Sequence, residues 1–357
     1  MESSRTSVSI SIELALEPME SFEVFVEELT VALTQGGMTF ETGINGRITE
    51  GKFEVGRVIT WMPGELIHLQ WRQADWEPGE VTHVEMRFEP INGGTRLVLE
   101  HSGWGGLIGA PGEQAGWFAR TIAAPFLQAM SPSGFGNWLT DRRARQPSGA
   151  QARDTYRDPL YHYPNFRVIL QELALSRDDY LIEVGCGGGA MLAEALKSGC
   201  RAAAVDHSPD MVQLAREVNH DAVAEGRLDI RQASADHLPF PDATFTCTAM
   251  TGVLGFLPDP VAALREVRRV LVEGGRLVVL GSDPALRGTP AAPEPMASHL
   301  RFYEDDKLQQ LAEEAGFAKA IVVRRDLEPF ARQVGVPEEH LKLFAGPGTS
   351  FLLAQKG

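Results

Sequence analysis

The chain has 357 residues, 43% of them hydrophobic and 23% charged, with a formal net charge of −15. Those fractions are ordinary for a globular protein, and the length points to two domains rather than one. The acid excess argues against nucleic acid as the main partner, since phosphate binding needs clustered Lys and Arg; in residues 1–50, where it is dense, it reads as a solvated helix face. No apolar run approaches the ~20 residues that span a bilayer, and no basic, then apolar leader opens the chain, so no membrane association and a cytoplasmic location are expected. Cys186, Cys200 and Cys247 form no C-x-x-C pair, so neither a metal site nor a disulfide framework is indicated, and the thiols are expected reduced.

Val8, Ile10, Ile12, Leu14 and Leu16 alternate with Ser9, Ser11 and Glu13, the pattern of a half-buried strand, which Pro18 stops. Phe22, Phe25, Val26, Leu29 and Leu33 then recur at helical spacing, with Glu20, Glu23, Glu27 and Glu28 opposite, up to Gly36-Gly37. Short strands follow, separated by turns at Asn45-Gly46, Pro63-Gly64 and Asn92-Gly93-Gly94. Ile67, Leu69 and Trp71 alternate with His68 and Gln70; Val84, Met86 and Phe88 alternate with Glu85 and Arg87. A longer helix is predicted over 113–130. This order makes a curved antiparallel sheet around a helix, with a cavity between them. Trp61, His68, Trp71, Trp76 and His101 are candidates to line it, although packing of the sheet against the closing helix accounts for them more simply. The stretches Gly56-Arg-Val-Ile-Thr-Trp-Met-Pro-Gly-Glu-Leu-Ile-His-Leu-Gln-Trp71 and Gly94-Thr-Arg-Leu-Val-Leu-Glu-His-Ser-Gly-Trp104 resemble the helix-grip family that includes polyketide cyclases and activators of the Hsp90 ATPase. The resemblance implies a fold; a fold that hosts many functions does not transfer Hsp90 activation.

Residues 141–154 are polar, rich in small residues and aperiodic, which reads as a connection between independently packed units. The expected division is a helix-grip domain at 1–145, a linker at 146–158 and a second domain at 159–357. In that second domain apolar runs at 180–184, 202–205, 228–231, 245–250 and 276–280 alternate with helical patterns, which argues an α/β unit with a parallel sheet. Ser208-Pro209 and Asp259-Pro260 are helix starts, an N-cap followed by proline. A helix at 305–315 stopped by Gly316, then runs at 321–323 and 350–354, complete the sheet.

The chemistry centres on Glu183-Val-Gly-Cys-Gly-Gly-Gly189. A strand ends in an acid and runs through a glycine turn into a helix, so a ligand can lie against bare backbone. Asp206 closes the next apolar run, where an acid suits two ribose hydroxyls. The spacing is not G-x-G-x-x-G, which disfavours a nicotinamide or flavin site, and no Lys-Ser/Thr follows as in a P-loop. The turn and Asp206 are joined by Ala233-Ser-Ala-Asp-His-Leu-Pro-Phe-Pro-Asp-Ala-Thr-Phe245 and Leu257-Pro-Asp-Pro-Val-Ala-Ala-Leu-Arg-Glu-Val-Arg-Arg-Val-Leu-Val-Glu-Gly-Gly-Arg276. In this order the four segments resemble class I S-adenosylmethionine-dependent methyltransferases, with a Rossmann-like fold of five parallel strands and a final strand pair. The resemblance implies S-adenosylmethionine as cofactor and S-adenosylhomocysteine as product. By it, Gly185, Cys186, Gly187 and Gly189 line the methionine part, Glu183 orients the turn and the ammonium, and Asp206 takes the ribose. His207 and Met211 lie beside the adenine and Thr251 borders the sulfonium. Where much of the family has an Asp for the adenine amino group this chain has Ser234, followed by Ala235 and Asp236, so that contact is open.

Methyl transfer is an in-line displacement whose chief demands are alignment and exclusion of water. An alcohol, phenol or amine acceptor adds a general base. His162, Tyr161 and Tyr163 in the lead-in segment, and His299 and Tyr303 after the proline-rich stretch 284–295, are the candidates, each also readable as packing. The expectation is a small-molecule methyltransferase whose N-terminal domain aids substrate capture or homodimerisation. Two alternatives stay open: a fusion with a cyclase- or hydrolase-like N-terminal domain, and a non-catalytic regulatory protein that binds the cofactor. Metalloid methylation would need thiols converging on the acceptor, which these three cysteines do not suggest.

Overall fold

The computed structural model describes residues 7–35, 37–72, 79–103, 140–289, 291–293 and 296–357. The chain divides into two units, Met1–Trp138 and Leu139–Gly357. Among the described residues no helix is long and apolar enough to cross a membrane.

In the first unit β1 (Ser7–Leu14), β2 (Met38–Phe40), β3 (Arg47–Glu50), β4 (Phe53–Met62), β5 (Leu66–Trp71), β6 (Thr82–Ile91) and β7 (Gly94–Ser102) form one seven-stranded sheet. Its order is β1-β7-β6-β5-β4-β3-β2, antiparallel throughout. α1 (Pro18–Gln35) buries Phe22, Phe25, Leu29 and Leu33 as its spacing predicts, with Val24 buried in place of the half-buried Val26. Phe22 meets Trp61 edge-on at 5.2 Å and Phe88 at 5.3 Å, so Trp61 belongs to the core that joins helix and sheet. Trp71 is buried on that inner face. His68 is not: the period-2 alternation of β5 puts it on the opposite face, where its Nε2 lies 2.9 Å from His83 Nδ1. Burial, and then the neighbouring His83, lower its pKa. His101 is buried 2.8 Å from Thr82 Oγ1, and burial holds its pKa down at about 3, so the ring stays neutral. Trp76 and the helix expected at 113–130 lie outside the described residues.

The second unit is built from α2 (Gly149–Arg157), α3 (Tyr163–Leu173), β8 (Tyr180–Val184), α4 (Ala190–Ala195), β9 (Arg201–Asp206), α5 (Pro209–Val218), α6 (His220–Ala224) and β10 (Leu228–Gln232). β11 (Phe245–Met250), α7 (Pro260–Val270), β12 (Leu271–Leu280), α8 (Met296–His299), α9 (Asp305–Glu314), β13 (Lys319–Arg325), α10 (Glu328–Gln333) and β14 (Thr349–Gln355) complete it. The sheet order is β10-β9-β8-β11-β12-β14-β13. The first five strands are parallel, and β14 runs antiparallel to both its neighbours. This is the doubly wound arrangement expected from the alternating pattern. The strand order reverses beside β8, so the crevice outside the carboxyl ends of β8 and β11 is where such sheets bind ligands. The helix starts are as read: Ser208 Oγ accepts from Met211 N at 3.3 Å, and Asp259 Oδ1 accepts from Ala262 N at 2.9 Å.

The segment read as a linker, 146–158, is mostly helix. Gly149 N donates to Asp210 Oδ2 at 2.7 Å, Arg153 reaches the Glu217 carboxylate at 2.9 and 2.8 Å, and Ala152 is buried with Met211 and Leu214. Small residues made this stretch look like a loop. In the fold, Gly149 and Ala152 are what let α2 approach α5 closely, and packing rather than propensity stabilises so short a helix.

Candidate functional site

β8 delivers its chain into a turn in which Gly185, Gly187 and Gly189 have φ of 77°, 49° and 81°. L side chains rarely adopt these angles, so the turn can be made only with glycine at low cost. Gly185 N and Cys186 N donate to Val205 O at 2.8 and 3.1 Å, which clamps the turn to the end of β9. Asp206, 7% exposed, then straps it: Oδ2 accepts from Gly187 N at 2.9 Å and Oδ1 accepts from Ser208 N at 2.9 Å. Asn219 Nδ2 donates to Gly189 O at 3.0 Å from the far side. Each Asp206 oxygen has lone-pair capacity left for a ligand hydroxyl.

Glu183 is 2% exposed and its Oε2 has no hydrogen-bond partner. Burial pushes its pKa well up, and the neighbouring Asp206 adds to the shift. Burial also raises Asp206, but two backbone N–H groups and His207 oppose the rise. Of the two carboxyls Glu183, which no donor reaches at Oε2, is the one whose protonated form burial favours more. A buried acid with an unsatisfied oxygen beside a bare backbone turn is suited to a cationic ligand group, and the cofactor's ammonium is one. Because the folded-state pKa is raised, this group's contribution to stability is complete below the unfolded carboxyl value and is lost as pH rises through the folded one. A bound cation reverses the shift, so cofactor binding is expected to release a proton. Calorimetry at about pH 6 in buffers of different ionisation enthalpy should show that release for the wild type and lose it in Glu183→Gln; equal heats in all buffers for the wild type would contradict the assignment.

The other expected cofactor residues take up the same edge of the sheet with one exception. His207 is exposed next to Asp206, and its carbonyl accepts from Gln232 Nε2 at 3.2 Å. Ala233 N donates to Asp206 O at 3.0 Å, bringing the 233–236 loop alongside. There Ser234 Oγ donates to Asp236 Oδ1 at 2.5 Å while Ala235 is buried. Asp236 thus stands near the position where Ser234 departs from the family. Thr251, at the tip of β11, lies 4.0 Å from Met191 Sδ. Cys186 is buried, and burial, then Asp206 and Glu183, push its thiol pKa well up, which leaves it unreactive. The exception is Met211, fully buried with Ala152 and Leu214 under α2; packing accounts for it without an adenine contact.

Two residues that sequence reasoning missed lie on the glycine turn. A Cβ on Gly185 would sit 2.1 Å from Val253 Cγ2, and one on Gly187 would sit 2.9 Å from Tyr156 Cδ1. A Cβ on Gly188 would meet the Tyr156 carbonyl oxygen at 2.1 Å. Nothing local in the sequence signals either contact.

The candidate bases separate by environment. Tyr161 is exposed and its hydroxyl is 2.7 Å from His340 Nδ1. Tyr163 packs edge-on against Phe166 at 5.7 Å; burial and then Asp158 push its pKa up to about 12, which makes it a poor base. Tyr303 is buried in the core next to β12 and its hydroxyl lacks a partner within bonding geometry, although Arg301 is near enough to oppose the rise that burial gives its pKa. His299 ends α8 and is half-buried. His162 is reached by solvent and stacks on Phe166, yet crowded surroundings hold its pKa below the ordinary imidazole value. Among the described residues no three His, Cys, Asp or Glu converge as a metal site requires.

The fold and the glycine–carboxylate site together define a methyltransferase-type α/β unit. Residues 182–279 match the family model described as a methyltransferase domain, and residues 17–119 match the activator of Hsp90 ATPase homolog 1-like family. The chain thus carries a methyltransferase domain, whose methyl donor is S-adenosylmethionine, behind an N-terminal domain of the Hsp90-activator-like group. An uncharacterized 37.1 kDa transposon protein of Streptomyces fradiae is 31% identical over 44% of this chain and 48% of its own. The demethylmenaquinone methyltransferase of Lactiplantibacillus plantarum is 35% identical over 31% of this chain and 48% of its own length. The chain spans about half the length of these curated relatives. A solved S-adenosylmethionine dependent methyltransferase from Mesorhizobium loti is 18% identical over 56% of this chain and 100% of that one, with a TM-score of 0.45.

Proposed function

We propose that the protein transfers the methyl group of S-adenosylmethionine to a small-molecule acceptor. The observation that carries this reading is the buried pair Glu183 and Asp206 flanking a turn free of side chains. The bound cofactor supplies a methyl group activated on a cationic sulfur. Around it, Glu183 holds the ammonium, Asp206 accepts from the ribose diol, and His207 with the 234–236 loop borders the adenine. Thr251 stands at the acceptor side. Of the candidate bases His162, an imidazole that solvent reaches in the lead-in segment, is assigned to proton removal. Tyr303 is assigned to the floor of the acceptor pocket, where it would orient rather than deprotonate.

Relatives are named as a demethylmenaquinone methyltransferase and a ubiquinone biosynthesis O-methyltransferase, so quinols and catechols head the acceptors to test. The N-terminal unit is assigned to acceptor capture or homodimerisation. Incubation of the protein with methyl-labelled S-adenosylmethionine and a panel of quinols, catechols and amines should yield labelled product with equimolar S-adenosylhomocysteine. Cofactor binding without turnover across quinols, catechols and amines would point instead to a binding protein.

A further inference from the structure

Both ends of the excursion between β12 and α9 are tied to one side chain from the far edge of the sheet. Arg324, next to last in β13, lies two strands from β12 in the sheet order. Its Nη2 pairs with Asp283 Oδ2 at 2.8 Å and donates to Asp305 Oδ1 at 3.0 Å, and its Nε donates to Asp305 Oδ2 at 2.7 Å. The strand between them joins in. Ser350 of β14 stands opposite Arg324, its Oγ donates to Asp305 Oδ1 at 2.6 Å, and its carbonyl accepts from Gly281 N at 2.8 Å. Asp283 is 9% exposed, and its Oδ1 accepts from Ala285 N at 2.8 Å. A carboxylate buried to this degree is costly unless paired, and a guanidinium fork can hold two acids at once where an ammonium is a single point charge.

Three further bonds carry this anchor to the acceptor side. Tyr303 N donates to Ser282 O at 2.8 Å, Arg301 N donates to Gly255 O at 2.9 Å, and Arg301 Nη1 donates to Pro258 O at 2.7 Å. A Cβ on Gly255 would lie 2.5 Å from Leu300 Cδ1 and 2.8 Å from Arg301 O, so the 300–303 stretch sits hard against the chain just past the tip of β11. The glycine turn and Asp206 belong to β8 and β9. The anchor at Arg324 stands on β12, β14 and β13, so the two halves of the site are set by different parts of one sheet.

We propose that Arg324 is a positioning residue for the acceptor: by holding Asp283 and Asp305 together it fixes the 299–303 stretch, with His299 and Tyr303, beside the tip of β11, and it governs acceptor binding without touching the methyl donor. The proposal rests on the function assigned above. A span of chain tied at its base samples far fewer conformations than a free one, so the clamp keeps the stretch in place before an acceptor arrives.

The test uses full-length protein and reads the two halves of the site separately. Arg287 and Arg301 are exposed, so trypsin reports opening of the segment that carries them. In Arg324→Gln cleavage at these two residues should be about tenfold faster than in the wild type, with S-adenosylhomocysteine affinity by calorimetry within about twofold. With catechol as acceptor, the KM for catechol should rise about tenfold, while kcat and the KM for S-adenosylmethionine stay within about twofold. Arg324→Lys, which keeps one carboxylate in place, should fall between the two proteins on both readings. If Arg324→Gln fails to fold, seen as lost S-adenosylhomocysteine binding, Arg324→Lys decides, and wild-type cleavage and catechol KM in it overturn the clamp. Unchanged cleavage in a folded Arg324→Gln, or cofactor affinity falling as steeply as the catechol KM rises, overturns it too and leaves the methyl-donor assignment standing. No methylation of catechol by the wild type counts against the assigned function itself, and cleavage with cofactor affinity then decides the clamp.

Discussion

Asp206→Ala is expected to remove measurable S-adenosylhomocysteine binding. The carboxylate would accept two ribose hydroxyls, and hydrogen bonds to a charged group contribute roughly 1.5–3 kcal/mol each. Losing both weakens binding by about 3 kcal/mol or more, on the order of 100-fold. The same side chain holds Gly187 N and Ser208 N, so its removal strands two backbone donors and loosens the turn. Asp206→Asn separates the two effects. It keeps an acceptor oxygen for only one of the two backbone donors, so the melting temperature should fall less than in Asp206→Ala while affinity still falls. Calorimetric titration of the three proteins reads the affinity and scanning calorimetry the melting temperature, and full affinity in Asp206→Ala would remove the ribose assignment.

The second large effect is expected at Gly185. Its φ of 77° is costly for any side chain, and a Cβ there would lie 2.1 Å from Val253 Cγ2. The left-handed backbone costs about 1–2 kcal/mol for a non-glycine residue. Forcing methyl groups into packed space adds about 1–3 kcal/mol. Gly185→Val should therefore lower the melting temperature by roughly 5–15 °C and close the cleft. Gly252→Ala is the matched control: φ is 68°, but nothing lies within 4 Å of the added carbon, so only the backbone cost applies. Differential scanning calorimetry should show Gly252→Ala falling by a few degrees and Gly185→Val by clearly more. Equal falls would mean that Val253 moves aside freely and does not guard the turn.

The parts of the site that were legible in the sequence are those encoded over a few consecutive residues. The glycine turn, the strand-end acids Glu183 and Asp206, and the caps at Ser208 and Asp259 each follow from local conformational rules, and all sit where those rules put them. Period-2 patterning fixed the inner face of the first sheet, and taken strictly it also excludes His68 from that face. What stayed illegible depends on contacts between distant segments. Tyr156 meets Gly187 and Gly188 only because α2 docks on α5, and α2 itself read as linker because its small residues serve a close helix approach. Met211 stands one helical turn after the ribose acid, a position that suits adenine contact, but the docked α2 covers it. β12 begins at Leu271 rather than at 276 because Gly274, with φ 74°, carries the chain through an irregular start that no alternation marks.

Calorimetric titration of the wild-type protein with S-adenosylmethionine and S-adenosylhomocysteine, with NADH as comparison, bears most directly on the claim that the Glu183–Asp206 turn is a methyl-donor site. One equivalent of each sulfur nucleoside should bind and NADH should not. Saturable binding of NADH, or silence toward both sulfur nucleosides, would leave the α/β architecture without this chemistry.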